Sequence, residues 1–345
     1  MVSLDAVAQP SSSISPRCPV CGADADRVLW SVGSAEAAQH FVLSEADPVR
    51  HERLTACIRR LWRGETCDVV ECAKCGFGFA HPFVAGDAEF YELAYARPGY
   101  PKDRWEYQRT LQALARNFEQ RIDASVLEIG AGVGNFLARL PVAPENVVAA
   151  EYSPGGRAAL AAAGYAVYAG DIREAKFRQT YQGRFGLVFL FQVMEHLDDL
   201  DGLFDCLKLV TKPGARIFIS VPDIRHTQWT ENHGGLLDMP PNHTSRWTPP
   251  SLLALARRMR LEVVDIDSRP WRPRDFVAAD TYSAYARRMQ HAGSIPNRLH
   301  RLPRGILRLA LEGLAAACFA LSRLRYWPAV GKERRGDTLW LELKR

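Results

Sequence analysis

The sequence has no long uncharged apolar run and no strong excess of either charge. The 345-residue chain carries a formal net charge of +5, and its basic and acidic residues are intermixed, which argues against a nucleic-acid-binding surface. The first residues include Asp5 and Pro10 and hold no continuous apolar core, unlike a secretory signal. No internal repeat is visible. We therefore expect a cytoplasmic globular protein that has no nucleic-acid partner.

Residues 306–324 come nearest to a membrane span. Arg308 and Glu312 interrupt this Leu- and Ala-rich segment, so too few uncharged residues remain to cross a bilayer. Arginines flank it on both sides: Arg298, Arg301, Arg304, Arg323 and Arg325. The pattern favours a helix that packs on its own domain. The alternative is peripheral contact, with the helix lying on an anionic membrane surface.

Residues 126–137 are the most informative stretch of the chain. Three apolar residues and Glu128 predict a buried strand, followed by a glycine turn and by a helix that starts near Asn135. Glycines let the backbone turn sharply and approach a ligand that a side chain would block. Their alternating spacing, Gly-x-Gly-x-Gly, differs from the Gly-x-Gly-x-x-Gly of dinucleotide-binding folds. Taken alone, the turn could also be a plain strand–helix connection.

Further predicted strands end in polar residues. The strand 147–150 ends in Glu151, where a carboxylate can accept hydrogen bonds from a ribose diol. The strand 165–169 ends in Gly170-Asp171, where an acid can hold an adenine amino group. The strand 187–191 leads into Gln192, and the strand 216–221 follows a Lys-Pro-Gly turn. Because open α/β sheets bind ligands at the carboxyl ends of their strands, these polar groups should meet at one edge.

This succession resembles the class I S-adenosylmethionine-dependent methyltransferases over about residues 120–267 and 337–344. The resemblance implies an α/β fold with a Rossmann-like, doubly wound, seven-stranded sheet. To this core we expect the chain to add a small N-terminal zinc module, indicated by its cysteines, and a helical insertion of about 70 residues before the last strand, where the resembled fold has a short turn. The resemblance also implies S-adenosylmethionine as the cofactor, held by Glu128, Gly130, Ala131, Gly132, Gly134, Asn135, Glu151, Tyr152, Gly170, Asp171, Ile172, Gln192 and Tyr100. Tyr95 and Tyr100 could close over the sulfonium by cation–π attraction, or only pack the connector.

Four cysteines form two matched Cys-x-x-Cys-Gly knuckles. These are Cys18 with Cys21, and Cys72 with Cys75. Two such knuckles supply the four thiolates of a closed, structural Zn²⁺ site. Disulfides and free thiols are the alternatives, although the absence of an export signal disfavours disulfides.

The remaining cysteines lack partners at ligand spacing. Cys67 lies five residues before a knuckle and is an alternative ligand. Cys206 and Cys318 lie in helical apolar patterns, which predict core packing.

The zinc knuckles ahead of a methyltransferase core resemble a bacterial group that includes sugar C-methyltransferases. The expected organisation is a disordered tail at 1–16, a zinc-binding module at 17–85 and an aromatic, helical connector at 86–121. The cofactor-binding core follows at 122–267 with 337–345, and a helical cap insertion lies at 268–336. A small-molecule acceptor and a homodimer are the expected partners.

The loop 222–250 should line the acceptor pocket. It carries Asp223, His226, Trp229, His233, Asn242, His243, Arg246 and Trp247. His243 is the first candidate for a general base, because histidines titrate near neutrality. Its alternative role is to hydrogen-bond the loop at a helix entry. His196 is the second candidate, although in the resembled family this position usually orders the turn.

The leading hypothesis is a methyltransferase that uses S-adenosylmethionine, acts on a small polar acceptor such as a sugar, glycan precursor or natural product, and holds a structural zinc ion. One alternative is a zinc-knuckle binding protein whose core binds cofactor without catalysis. The other is an RNA or protein methyltransferase. The lack of a basic stripe, and of an Asn/Asp-Pro-Pro-aromatic motif after the fourth strand, disfavours the latter.

Overall fold

The structure is a computed structural model. It describes residues 16–25, 27–95, 101–117, 125–232, 239–273, 277–278, 281, 284–285, 288–289, 291, 293–303, 305–324 and 336–345. Tyr100 and His233, both named above as candidate site residues, lie outside the described residues, and so does the tail 1–15.

The largest element is a seven-stranded sheet. Its strands are β4 (Val126–Ile129), β5 (Val147–Ala150), β6 (Ala166–Tyr168), β7 (Phe185–Phe191), β8 (Thr211–Pro222), β10 (Glu262–Ser268) and β11 (Thr338–Lys344). They lie in the order β10-β11-β8-β7-β4-β5-β6, parallel except for β11, which runs antiparallel to both of its neighbours. This arrangement confirms the Rossmann-like fold class expected from the sequence.

Helices cover the sheet and pack the smaller elements. They are α1 (Ser34–Phe41), α2 (Pro48–Trp62), α3 (Ala88–Ala94), α4 (Trp105–Asn117), α5 (Pro154–Ala162), α6 (Ala175–Thr180), α7 (Leu200–Val210), α8 (Ile224–Asn232), α9 (Pro249–Arg258), α10 (Ile295–His300) and α11 (Ile306–Arg323). Local signals fix several starts: Thr248 and Ser251 form a capping box on α9, and Asp199 caps α7.

A second, four-stranded sheet lies at the N-terminal end. Its order is β1 (Arg27–Gly33), β2 (Thr66–Glu71), β3 (Gly78–His81) and β9 (Ser245–Arg246). The last strand comes from the loop after β8, so the two parts of the chain share a sheet. They also share a core: Phe77 packs against Trp247, and their ring centroids are 4.6 Å apart. The N-terminal sheet is therefore joined directly to the predicted acceptor loop.

The segment after the glycine turn differs from the sequence prediction. A regular helix was expected from about Asn135, but the structure has only a short 3₁₀ turn, Leu137–Arg139. Pro141 explains the difference, because the residue before a proline is driven out of the helical region, and Leu140 has an extended ψ of 135°.

The helix α11 contacts α10, but it differs from the sequence prediction in its burial. None of its residues is buried, and Cys318, which was expected in the core, is exposed. Among the described residues, no helix is both long and apolar enough to cross a membrane.

Candidate functional site

The glycine turn follows β4 at the carboxyl edge of the sheet. Gly130, Gly132 and Gly134 have φ angles of 70°, 56° and 81°, in the region that side chains rarely adopt. At Gly130 a Cβ would also lie 2.5 Å from the Cγ2 atom of Val193. The turn is thus held tightly against the segment that follows β7, and a side chain at this position would push the two apart.

Glu151 is tied to the glycine turn. One carboxylate oxygen accepts the backbone N–H of Gly132 at 2.8 Å, and the other accepts the N–H of Ser153 at 2.7 Å. A carboxylate has about four acceptor positions, so it retains capacity for two further donors. Glu151 therefore lies beside the turn at the end of β5, as the sequence predicted.

Gly156 is a site residue that the sequence analysis missed. A Cβ there would lie 2.7 Å from the carbonyl oxygen of Gly132 and 2.8 Å from Cγ of Glu151. The Gly155-Gly156 pair in the first turn of α5 was the available signal, because helix interiors otherwise disfavour glycine.

We expect Gly156→Ala to displace the glycine turn and Glu151, and so to weaken cofactor binding about tenfold or more, since a displacement that costs 1.4 kcal/mol already has that effect. Gly155→Ala is the matched control, because a Cβ there meets nothing within 4 Å. Isothermal titration with S-adenosylhomocysteine measures both. Equal dissociation constants for the two variants would contradict the close approach.

Asp171 forms a rigid ion pair just after β6. Nε of Arg173 donates to both carboxylate oxygens of Asp171, at 3.0 and 2.9 Å, and Nη2 donates to the second of them at 2.6 Å. Nη1 of the same arginine donates to Asp198 at 3.1 Å. Burial opposes ionisation of Asp171, but the hydrogen bonds from Arg173 outweigh it, and the pKa of Asp171 falls below its ordinary value. Asp171 is thus a fixed anion.

Most of the predicted cofactor-binding residues lie on the turns at the carboxyl edge of the sheet, whereas Asn135 and Tyr152 do not fit the prediction as well. Gly130, Ala131, Gly132, Gly134, Glu151, Gly170, Asp171, Ile172 and Gln192 lie on the turns that follow β4 to β7, although Ile172 is buried against Cys206, whose thiol donates to its carbonyl. The side-chain amide of Asn135 donates to the carbonyl of Pro101 at 3.0 Å. Tyr152 is exposed.

Glu128 is a buried carboxyl at the centre of β4. Its Oε2 atom has no hydrogen-bond partner among the described residues. Desolvation, followed by the nearby negative charge of Glu151, raises the pKa of Glu128 well above its ordinary value of 4.5. A buried carboxyl of this kind fits a site that receives a cationic or hydrogen-bond-donating group.

The raised pKa of Glu128 predicts a pH-dependent cost to stability. Above pH 4.5 the unfolded chain loses this proton while the folded chain keeps it, so stability falls as pH rises towards the folded-state pKa. Glu128→Gln should remove that loss, gaining up to about 1.4 kcal/mol per pH unit relative to the wild type. Denaturant unfolding of the cofactor-free protein at acidic and alkaline pH tests this. Glu145→Gln, an exposed carboxyl, is the control, and equal gains in both variants would refute the prediction.

Gln192 occupies an unusual backbone position directly after β7. Its φ of 57° is rare for a residue other than glycine. Its backbone N–H bonds the carbonyl of Ser220 at 2.9 Å, and its amide group lies 3.4 Å from the Ser220 hydroxyl. Neighbouring strands thus hold Gln192 in this conformation at the carboxyl edge.

Two histidines meet beyond Gln192. The rings of His196 and His243 are in edge-to-face contact, with their centroids 4.6 Å apart. His196 Nδ1 lies 2.8 Å from the carbonyl oxygen of Asn242. Because a carbonyl only accepts, Nδ1 carries the proton, and Nε2 of the neutral ring is the acceptor. The buried carboxylate of Glu195 lies 4.0 Å from that Nε2. The structure therefore brings together the two candidate bases.

Other residues of the predicted acceptor loop have structural roles. Trp247 is fully buried between the two sheets, and Arg246 is buried with its guanidinium 5.0 Å from the centroid of the Trp30 ring. Asp223 is buried and pairs with Arg225. Trp247 and Arg246 thus anchor the loop rather than line a pocket.

Two tyrosines of the connector lie near the histidine pair. Tyr91 places its hydroxyl 3.3 Å from Nδ1 of His196, and Tyr95 stacks on Tyr91.

The four knuckle cysteines converge on one point. Cys18 Sγ lies 3.7 Å from Cys75 Sγ, and Cys21 Sγ lies 3.5 Å from Cys72 Sγ, whereas a disulfide needs about 2.0 Å. All four sulfurs lie within 4.8 Å of one another. Zn–S bonds of about 2.3 Å in a tetrahedron place sulfurs about 3.8 Å apart, so the spacing fits zinc.

The two knuckles have the same backbone design. Gly22 N–H bonds the carbonyl of Cys18 at 2.9 Å, and Gly76 N–H bonds that of Cys72 at 2.8 Å. The hydrogen bond between Cys18 and Cys75 lowers the pKa of the Cys18 thiol and raises that of the Cys75 thiol, so in the absence of a metal ion the two sulfurs share a proton. Cys67 is outside this group: it lies in a separate core cluster, and burial raises the pKa of its thiol to about 12.

Comparison with known proteins identifies the core. Residues 102–266 match the family model described as a methyltransferase domain. This part of the chain is similar to methyltransferase domains. The match confirms the expectation that the protein is an enzyme of the S-adenosylmethionine-dependent methyltransferase class. No curated protein sequence matches the chain.

Solved structures with similar folds are distant. A SAM-dependent methyltransferase from Archaeoglobus fulgidus is 13% identical, covering 69% of this chain and 94% of its own, with a TM-score of 0.41. The phosphoethanolamine N-methyltransferase 2 of Haemonchus contortus is 16% identical, covering 69% and 52%, with a TM-score of 0.42. The 1,6-didemethyltoxoflavin-N1-methyltransferase of Burkholderia thailandensis is 19% identical, covering 48% and 72%, with a TM-score of 0.37.

Proposed function

We propose that this protein transfers the methyl group of S-adenosylmethionine to a small polar acceptor, such as a sugar, glycan precursor or natural product, and that a structural zinc ion holds its N-terminal module. The observation that carries the proposal is the connection of Glu151 to the glycine turn, at the carboxyl edge of a sheet that belongs to a methyltransferase domain. The proposed organisation is a disordered tail at 1–16, a zinc-binding module at 17–85 and an aromatic, helical connector at 86–121. The cofactor-binding core lies at 122–267 with 337–345, and the helical cap insertion at 268–336.

In this proposal the cofactor lies over the glycine turn. Glu151 accepts the ribose hydroxyls, and Asp171, held by Arg173, accepts from the adenine amino group. Glu128 faces the amino group of the methionine part, whose positive charge would satisfy the buried carboxyl. Asn135 and Tyr152 are the weaker members of the proposed set, because one is engaged elsewhere and the other is exposed.

The acceptor would lie between Gln192 and the histidine pair. Methyl transfer from a sulfonium is an in-line displacement, so the enzyme's main task is to align the acceptor atom with the S–CH₃ bond. Nε2 of His196 can take the proton that a hydroxyl or carbon acid loses, and the neighbouring carboxylate of Glu195 would stabilise the resulting imidazolium. His243 would hold the His196 ring in place through their contact.

The zinc ion would have a structural role. Its four thiolate ligands, Cys18, Cys21, Cys72 and Cys75, leave no open position for a substrate. The knuckles adjoin the acceptor loop, because Thr248 donates to the carbonyl of Cys75 at 3.4 Å and β9 pairs with β3. The ion would therefore hold the strand that follows His243.

The test is a turnover screen. Purified protein is incubated with S-adenosylmethionine and separate pools of sugar nucleotides, glycan precursors, RNA and protein, and S-adenosylhomocysteine release is measured. We expect release, and an acceptor that is heavier by one methylene group, only with a small-molecule pool. Glu151→Ala should lose this activity because cofactor binding fails. Binding of cofactor without turnover on any pool favours the non-catalytic alternative, and turnover with RNA or protein overturns the proposed acceptor class.

A further inference from the structure

The helix α11 presents an apolar face to solvent. The exposed positions along it are 306, 307, 309, 310, 313, 314, 317, 318, 321 and 322, which repeat at the three- and four-residue spacing of one helical face. Ile306 is 88% exposed, and Leu309 and Leu321 are each 68% exposed. Apolar patches of this kind mark interaction surfaces in soluble proteins.

The charged residues of α11 lie on its other face. Arg308, Glu312 and Arg323 are half-buried. Arg308 bonds Glu312 at 2.9 Å and Nδ1 of His300 in α10 at 2.8 Å. On the same side, the Phe319 ring packs edge-on against Tyr285. This inward face already has partners, so α11 is oriented with its uncharged face outward.

The surroundings of the helix are strongly basic. Residues 295–325 contain six arginines and one glutamate, a net charge of +5 that equals the charge of the whole chain. Arg298 and Arg301 are exposed next to the start of the helix. The rest of the sequence is therefore neutral in sum, and the excess positive charge is concentrated in the segment that contains α11.

We propose that α11 binds to an anionic lipid surface, with its axis in the membrane plane and its exposed leucines among the acyl chains. Charge complementarity selects this partner, because the exposed Arg298 and Arg301 before the start of the helix can pair with acidic headgroups while the apolar face enters the bilayer. A second copy of the chain fits less well. The exposed positions of α11 carry no acidic side chain that could pair with these arginines in a second copy.

The test uses the full-length protein and lipid vesicles. Sedimentation is compared for vesicles of phosphatidylcholine alone and for vesicles in which phosphatidylglycerol replaces part of it. We expect binding to the anionic vesicles that weakens as salt rises, and much weaker binding to the neutral ones. Leu309→Gln with Leu314→Gln should weaken binding to anionic vesicles by at least about tenfold, since each leucine withdrawn from lipid costs roughly that factor.

Matched variants keep the test independent of folding and catalysis. Val49→Gln alters an apolar side chain that is equally exposed on α2, and it should bind as the wild type does. Arg298→Ala with Arg301→Ala should weaken binding and reduce its salt dependence. Circular dichroism confirms that each variant is folded, and no methyl acceptor is involved, so a failed turnover screen would not affect the result.

Two outcomes overturn the proposal. One is equal vesicle binding by the wild type and the Leu309/Leu314 double variant, or no binding by either. The other is that the wild-type protein does not bind vesicles, is a dimer by light scattering, and becomes a monomer when Leu309 and Leu314 are replaced. That result would assign the face to a second copy of the chain.

Discussion

Replacing Cys72 with serine is expected to release the metal ion and to destabilise the whole chain, not only its N-terminal sheet. The knuckle cysteines belong to the same buried cluster as Trp247, Leu252 and Leu255, so disorder at the metal site exposes part of the methyltransferase core. Binding of a structural zinc ion contributes at least several kcal/mol to the free energy of folding. At about 2–4 °C per kcal/mol in a large domain, the melting temperature should fall by at least about 5 °C.

Cys67→Ser is the matched control for this experiment. Cys67 is also buried, but its thiol bonds the carbonyl of Asp68 and lies outside the four-sulfur group. Metal content by atomic spectroscopy should be one zinc per chain for the wild type and Cys67→Ser, and well below one for Cys72→Ser. Unchanged zinc content and melting temperature in Cys72→Ser would refute the structural metal site.

His196→Ala is expected to lower kcat by about 10²–10⁴-fold, the usual contribution of a positioned general base. The dissociation constant of S-adenosylhomocysteine should change less than about twofold, because His196 is not one of the residues proposed to hold the cofactor. Once an acceptor is known, the kcat of the wild type should rise with pH as the base loses its proton. This rising limb of the pH–rate profile should disappear in His196→Ala.

His243→Ala distinguishes the two histidines. His196 has its tautomer set by the carbonyl of Asn242, whereas His243 contacts it through the ring edge. We therefore expect a smaller loss of kcat for His243→Ala, with the pH-dependent limb retained. If His243→Ala removes that limb and His196→Ala keeps it, the roles are reversed. Equal loss of cofactor binding and turnover in both variants would assign the pair a purely structural role.

The sequence predicted the parts of the fold that depend on local patterns. The buried strand before Gly130 and the strand 147–150 lie where apolar pattern and turn residues place them. The cysteine group was also predictable, because two Cys-x-x-Cys-Gly turns can meet at one metal ion whatever connects them. The structure brings their sulfurs together across about 50 residues of intervening chain, which include α1 and α2.

Features that depend on three-dimensional contacts could not be predicted in the same way. The prediction that Cys318 lies in the core was wrong, because an apolar helical pattern alone does not reveal which face of α11 finds a partner. Trp247 and Arg246 were assigned to a pocket because of their residue types. In the structure Arg246 pairs with Gly78 of β3, and Trp247 is buried against Phe77. The contact between His196 and His243 joins residues 47 positions apart and has no sequence signature.

The central claim is that the edge formed by Glu151, Asp171 and the glycine turn binds S-adenosylmethionine. Calorimetric titration of the zinc-loaded protein with S-adenosylmethionine and with S-adenosylhomocysteine tests it most directly. We predict saturable binding of one molecule per chain, weakened at least about tenfold by Glu151→Ala, which removes the acceptor for the ribose hydroxyls. Absence of binding heat with either compound, or undiminished affinity in Glu151→Ala, would contradict the account.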